Sequence, residues 1–143
     1  MSKKVTKKKP QRARAKAEKE TKVTSTPKIS LGSKEQPRIG VFICHCGVNI
    51  GGVVNVPNVV EYAKTLSNVA HSEGNIYTCS EAGLSSIKEA IKKHNLNRVV
   101  VASCTPRTHE PLFRSACKEA GLNKYLFEMA NIREQCSWVH AHE

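Results

Sequence analysis

The chain has 143 residues, 24% of them charged, with six cysteines and a formal net charge of +11 at pH 7. That length suits one modest domain. It holds no apolar run of the roughly 18 residues that a membrane span requires and no apolar stretch near Met1 that resembles a secretory signal, so a cytoplasmic protein without a membrane span is expected. Cysteines in a reducing cytosol are metal ligands, redox groups or inert core residues before they are structural disulfides.

Residues 1 to 36 hold 12 of the 23 Lys and Arg and 3 of the 12 Asp and Glu, so they carry +9 of the net charge and leave +2 to the remainder. They contain no aromatic residue and too few apolar side chains to offset the entropy of ordering them. Residues 1–37 are therefore expected to be a disordered basic tail, with Pro37 closing the linker. Such an arm is either a solvated tail or a polybasic segment for nucleic acid or an acidic partner.

From Arg38 the pattern becomes that of an α/β domain, 38–143. Ile39, Val41, Phe42 and Ile43 predict a buried strand that ends in Cys44-His45-Cys46 and opens into a glycine-bearing loop, Gly47 to Gly52. Asn55 as a cap, Pro57 in the first turn, and Val59, Val60, Ala63 and Leu66 at helical spacing predict the first helix. A turn at Glu73-Gly74-Asn75 and a short strand at Ile76 to Thr78 are expected next, leading into Cys79. Ser80 and Glu81 start a second helix with Leu84, Ile87, Ala90 and Ile91 inward and Lys92, Lys93 and His94 at its negative end.

Arg98 to Ser103 is an uninterrupted run of the kind buried on both faces of a parallel sheet. A third helix is expected with Thr108 as cap, Pro111 early, Leu112, Phe113, Ala116, Cys117 and Ala120 inward, and Gly121 as its stop. A fourth strand, Tyr125 to Ala130, precedes a last turn and helix start at Asn131 to His142. This order predicts a small doubly wound parallel sheet of about four strands, Rossmann-like or flavodoxin-like.

In such a sheet ligands bind at the carboxyl ends of the strands. Cys44, Cys46, Cys79, Cys104 and Cys136 each come at or after such an end, so four converging thiolates are expected, with Cys46 favoured over Cys44 because it has left the strand. Cys117, on the inward stripe of a helix, reads as an inert core thiol. An iron-sulfur cluster accepts ligands from separate loops. Structural zinc favours CxxC knuckles, and the chain has none, which places zinc second and unligated core or redox thiols third. The glycines of Gly47-Val-Asn-Ile-Gly51-Gly52 lack the GxGxxG spacing of a dinucleotide site and read as a tight turn. His45, His109, His140 and His142 lie near the same edge, as exposed loop residues or as tuning groups.

The blocks CHCGVNIGG, RVVVASCTPRTHEP and FRSACKEAGLNKYLFEMANIREQCSWVH resemble the N-terminal domain of the A-type subunit of heterodisulfide reductase, over roughly residues 38–143. The resemblance implies a four-iron cluster (4Fe-4S) held by cysteines of these motifs: Cys46 or Cys44, Cys79, Cys104 and Cys136. In that family the domain precedes a flavin domain that binds FAD and ferredoxin-type cluster modules. Neither a GxGxxG nor a CxxCxxCxxxCP run occurs here, so FAD is not expected in this chain alone. The reading is an iron-sulfur electron-transfer or structural module, a fragment or split subunit that works with flavin-bearing and iron-sulfur subunits and is not catalytic alone. Its rival is a protein that binds nucleic acid or a partner through its polybasic tail, with cysteines buried or zinc-bound. Trp138 is the candidate anchor of a docking face.

Overall fold

The computed structural model describes residues 35–141. The basic tail up to residue 34, and His142, lie outside the described residues. Four strands, β1 (Ile39–Cys44), β2 (Val69–Asn75), β3 (Arg98–Ser103) and β4 (Phe127–Asn131), form one sheet in the order β2-β1-β3-β4, every pair parallel. This is the flavodoxin-like order, and the doubly wound α/β class expected from the sequence holds. Three helices make the crossovers: α2 (Val56–Lys64) after β1, α3 (Glu81–Lys93) after β2 and α4 (Pro106–Glu119) after β3. A single turn, α1 (Val48–Gly51), and a π-helical turn at Arg133–Ser137 complete the fold. No helix of the described residues is long and apolar enough to cross a membrane.

Right-handed crossovers in this order put α2 on one face and α3 and α4 on the other. Two cores result, one on each face. Phe42, Val99, Val101, Phe127 and Met129 pack with Ile87, Ile91, Phe113 and Cys117 under α3 and α4. Ile43 and Ala102 pack with Ile50 and Val56, with Val59 and Val60 of α2 against them. The period-2 alternation of β1 and β3 explains the division, because Phe42 pairs with Val101 and Ile43 with Ala102.

The helix starts follow capping chemistry. Asn55 accepts from the Asn58 N–H at 3.1 Å and Ser80 from the Gly83 N–H at 3.2 Å. Gly121, at φ +91°, ends α4, and the Leu122 N–H returns to the Cys117 carbonyl at 2.9 Å. At the amino edge, Arg38 donates to the His94 and Asn95 carbonyls, and Asn97 bonds both the Arg38 N–H and the Gln36 carbonyl.

Three sequence expectations are corrected. The turn at Glu73 to Asn75 lies inside β2, and Ile76 to Thr78 is loop rather than strand. Parallel pairing with β1, from Ile39↔Val69 to Cys44↔Asn75, overrides the weak strand propensity of Ala-His-Ser-Glu-Gly-Asn. Gly74 belongs there because a Cβ would press on Val56 and Val60 of α2 at 3.3 and 3.4 Å. On the opposite face Glu73 takes hydrogen bonds from Ser86, Asn75 and His71. Burial opposes its charge, yet these bonds outweigh it and hold the carboxyl below its ordinary range.

The third helix starts three residues early, with Thr105 at its cap and Pro106 in the first position, where a missing N–H costs nothing. Pro111 then falls inside α4, on an exposed turn, and Leu112 is 39% exposed rather than inward. The last strand begins at Phe127, leaving Tyr125 outside it and exposed.

Phe42 is fully buried at the centre of the larger core. Phe42→Ala should cost about 3–5 kcal/mol of stability, read as a lowered urea midpoint, whereas Tyr125→Ala should stay within about 1 kcal/mol of the parent. Equal losses would contradict this assignment of the core.

Candidate thiol-lined functional site

The order β2-β1-β3-β4 reverses direction between β1 and β3, and at such a switch point the loops leaving the two strands diverge and open a crevice. Cys44 is the last residue of β1, and Cys104 directly follows β3. Cys79 comes from the loop after β2, and Arg133 and Cys136 from the turn after β4. All the strands being parallel, four loops deliver their thiols to one edge.

The loops after β1 and β2 are laced through sulfur. Cys44 is 4% exposed, and its Sγ receives the N–H of Cys46 at 3.2 Å and of Thr78 at 3.4 Å, while its S–H reaches the Ile76 carbonyl at 3.8 Å. Backbone bonds from His45 N–H to the Asn75 carbonyl and from Gly47 N–H to the Ile76 carbonyl continue the lacing. Cys46 and Gly47 both have positive φ, 46° and 56°. That left-handed turn takes Cys46 off the strand line, and its Sγ lies 3.9 Å from Nη1 of Arg133.

Electrostatics tie four of the thiols into one group. Cys79 is raised above the ordinary thiol value first by burial, then by the neighbouring Cys44 and Cys46. Cys104 is raised by burial against the pull of Arg133, with Cys46 and Cys79 raising it further. Ionised together, these thiols repel, and a metal centre among them removes the conflict by holding each as thiolate. Cys79 and Cys104 also directly precede Ser80 and Thr105, the caps of α3 and α4, whose helix dipoles favour negative charge.

The thiols do not close on a single point: among the described residues no three His, Cys, Asp or Glu side chains are grouped to hold one metal ion. A mononuclear zinc needs four donors within about 2.3 Å of one atom. A cluster presents separate corners to separate loops. Thr78 is fully buried beside Cys44, and its hydroxyl has no hydrogen-bond partner, leaving a spare donor at the edge.

Cys136 sits at the same edge in the π-helical turn, half-buried, but it is not among the groups that shift Cys79 or Cys104. The turn is anchored by Ser137, whose hydroxyl donates to the Asn49 carbonyl of α1. His45 is drawn away from the thiols, its ring packing over Gly51 and Gly74. His109 lies early in α4, and the His140 N–H bonds the Cys136 carbonyl at 3.2 Å. The residue most plainly missed from the sequence is Arg133, hidden because nothing in its spacing links it to Cys46, 87 positions away.

Cys117 is a different thiol. It is fully buried in the core under α4, and burial pushes it up from 9.0 to about 11. The folded state therefore holds this proton while an unfolded chain loses it, so Cys117 makes stability fall as pH rises from 9.0 toward about 11. Near neutral pH iodoacetamide should leave Cys117 unmodified in the folded protein and alkylate it only in denaturant. Labelling of native Cys117 as fast as Cys46, read by mass spectrometry, would contradict its burial.

The comparisons with known proteins point one way. The chain is 60% identical over 111 residues to a protein of Archaeoglobus profundus that is named as like the A-type subunit of heterodisulfide reductase, with 78% of this chain and 16% of that protein covered. It is 61% identical over 108 residues to the second A-type iron-sulfur subunit of CoB–CoM heterodisulfide reductase from Methanopyrus kandleri, covering 76% of this chain and 16% of that protein. For the A-type iron-sulfur subunit of CoB–CoM heterodisulfide reductase from Methanocaldococcus jannaschii the identity is 51% over 107 residues, with 75% and 16% covered. The chain thus spans about a sixth of the length of these curated relatives. No family model matches it.

Proposed function

The chain carries a domain of the heterodisulfide reductase A-type subunit family, and on that premise we propose that it holds an iron-sulfur cluster at the carboxyl edge of its sheet and serves as an electron-transfer or structural module of a heterodisulfide-reductase-like redox complex. The observation that carries the proposal is that Cys44, Cys46, Cys79 and Cys104 all leave the carboxyl ends of parallel strands at one edge of the sheet. Two of the relatives are named as iron-sulfur subunits, which supports the same cofactor.

In this reading the cluster is of the 4Fe-4S type, and Cys46 (or Cys44), Cys79, Cys104 and Cys136 hold it. When bound, the cluster supplies one-electron transfer. The chain's own residues do the rest. Cys46, which the left-handed turn takes off the strand line, is favoured over Cys44 as the ligand from their loop. The α3 and α4 amino ends favour the thiolate forms of Cys79 and Cys104. Cys136 completes the set by a modest movement of its turn.

Around the thiols the surface is apolar. Val48, Ile76, Tyr77, Trp138 and Val139 are all exposed on the loops of this edge. An electron can leave only toward a centre that approaches it, so this rim is the docking face for flavin-bearing or iron-sulfur subunits, with Trp138, 54% exposed, as its anchor.

Anaerobic purification with iron and sulfide analysis tests the reading. A brown protein with about four irons per chain is expected. Cys79→Ser, Cys104→Ser and Cys136→Ser should each lose most of that iron, and Cys117→Ser should keep it. Equal iron loss in all four, or a colourless protein with zinc, would defeat the assignment. Trp138→Ala should weaken capture of a flavin-bearing partner several-fold while cluster absorbance remains, whereas loss of the absorbance would assign Trp138 to shielding instead.

A further inference from the structure

The turn after β4 carries an arrangement that the ligand set does not use. Nε and Nη2 of Arg133 are held by one carboxylate oxygen of Glu134, at 3.3 and 2.8 Å. That leaves Nη1 to face Cys46 Sγ at 3.9 Å, while the guanidinium plane lies 5.2 Å from the centre of the Trp138 ring. Glu134 is itself fixed, because its N–H is bound by the Asn131 side chain at 3.0 Å. Its second carboxylate oxygen is buried without a partner. Leaving an acceptor unsatisfied is costly, and the cost is borne at a place where the one clear gain is orientation of Arg133.

We propose that Arg133, aimed by Glu134 and covered by Trp138, is a positioning residue that sets the reduction potential of the centre at this edge by placing a fixed positive charge against Cys46. The proposal rests on the cluster reading above and goes beyond it by assigning a role to a residue that is not a ligand. One-electron reduction makes the thiolate-bound centre more negative by one charge, and no bond forms or breaks and no proton is required. The electron comes from a reduced flavin or iron-sulfur partner. A nearby cation stabilises the more negative form and so raises the potential. Arg suits the task better than Lys, because a permanently charged planar group can meet a carboxylate on one side, a sulfur on another and an aromatic face above.

The arrangement predicts opposite signs from adjacent residues. In the full chain, reconstituted anaerobically and titrated with dithionite through redox dyes, Arg133→Gln should shift the midpoint potential to a more negative value. Glu134→Gln removes the compensating negative charge and should shift it to a more positive one. Arg133→Lys keeps the charge without the planar fork and should fall between the parent and Arg133→Gln. Iron content and thermal melting are measured in parallel. Unchanged potentials in both Gln variants with iron retained would overturn the tuning role and leave the cluster reading standing. Potentials shifted in the same direction by both variants would also overturn it, since a general loosening of the turn has no sign preference between them. Loss of iron in Arg133→Gln but not in Arg133→Lys would make the charge a requirement for holding the cluster and overturn tuning. A parent chain that takes up no iron would overturn the cluster reading and this one together.

Discussion

The parallel pairing of β1 with β2 on one side and β3 on the other is the constraint on which the molecule depends. Because β1 is central, the crossover to β2 must run over one face and the later crossovers over the other, and this divides the apolar residues of β1 and β3 between two cores. The same division parts the loops that leave β1 and β3. Cys44 to Gly47 and Cys104 to Pro106 therefore diverge, for reasons of topology before any residue there is chosen. Stability and site share one cause.

Much of this was legible in the sequence because strand, cysteine and helix cap follow each other in a fixed order. Ser80 after Cys79 signals a helix start by its capping chemistry alone, and the Val-Val-Val-Ala run of β3 has no other stable home than the middle of a sheet. β2 was opaque for an equally physical reason. It is an edge strand with His71, Glu73 and Asn75 on its α3 face and Ser72 and Gly74 on its α2 face, so it has no hydrophobic alternation to read. Only the neighbour β1, and the need for Gly74 to pass beneath Val56 and Val60, define it. The start of α4 was misjudged because Thr105-Pro106 and Thr108 are both fair caps; proline in the first helical position decides between them.

The convergence of Cys44, Cys46, Cys79 and Cys104 followed from sheet topology, which depends on sequence order alone. The contributions of Arg133, Glu134 and Thr78 did not, because each depends on side-chain directions in loops that have no period. Arg133 reaches back across the edge from the end of the chain, and Thr78 is buried by the loop that β2 forces into place. The sequence can say that an edge bears thiols; it cannot say which charge faces them.

That distinction bears on what kind of centre the edge suits. Burial and neighbouring thiols raise Cys79 and Cys104, which favours their neutral S–H forms, and the Cys44 thiol donates to the Ile76 carbonyl. A cationic centre reverses the preference and must displace those protons. The amino ends of α3 and α4, the N–H groups directed at Cys44 and the guanidinium at Cys46 all work in the same direction, each lowering the cost of negative charge on sulfur. Cys117, in the core of the same fold, is fully buried and held protonated far above neutrality, burial outweighing the pull of Arg114. The edge and the core thus surround sulfur differently: helix amino ends, backbone N–H groups and a guanidinium meet the edge thiols, whereas apolar packing encloses Cys117.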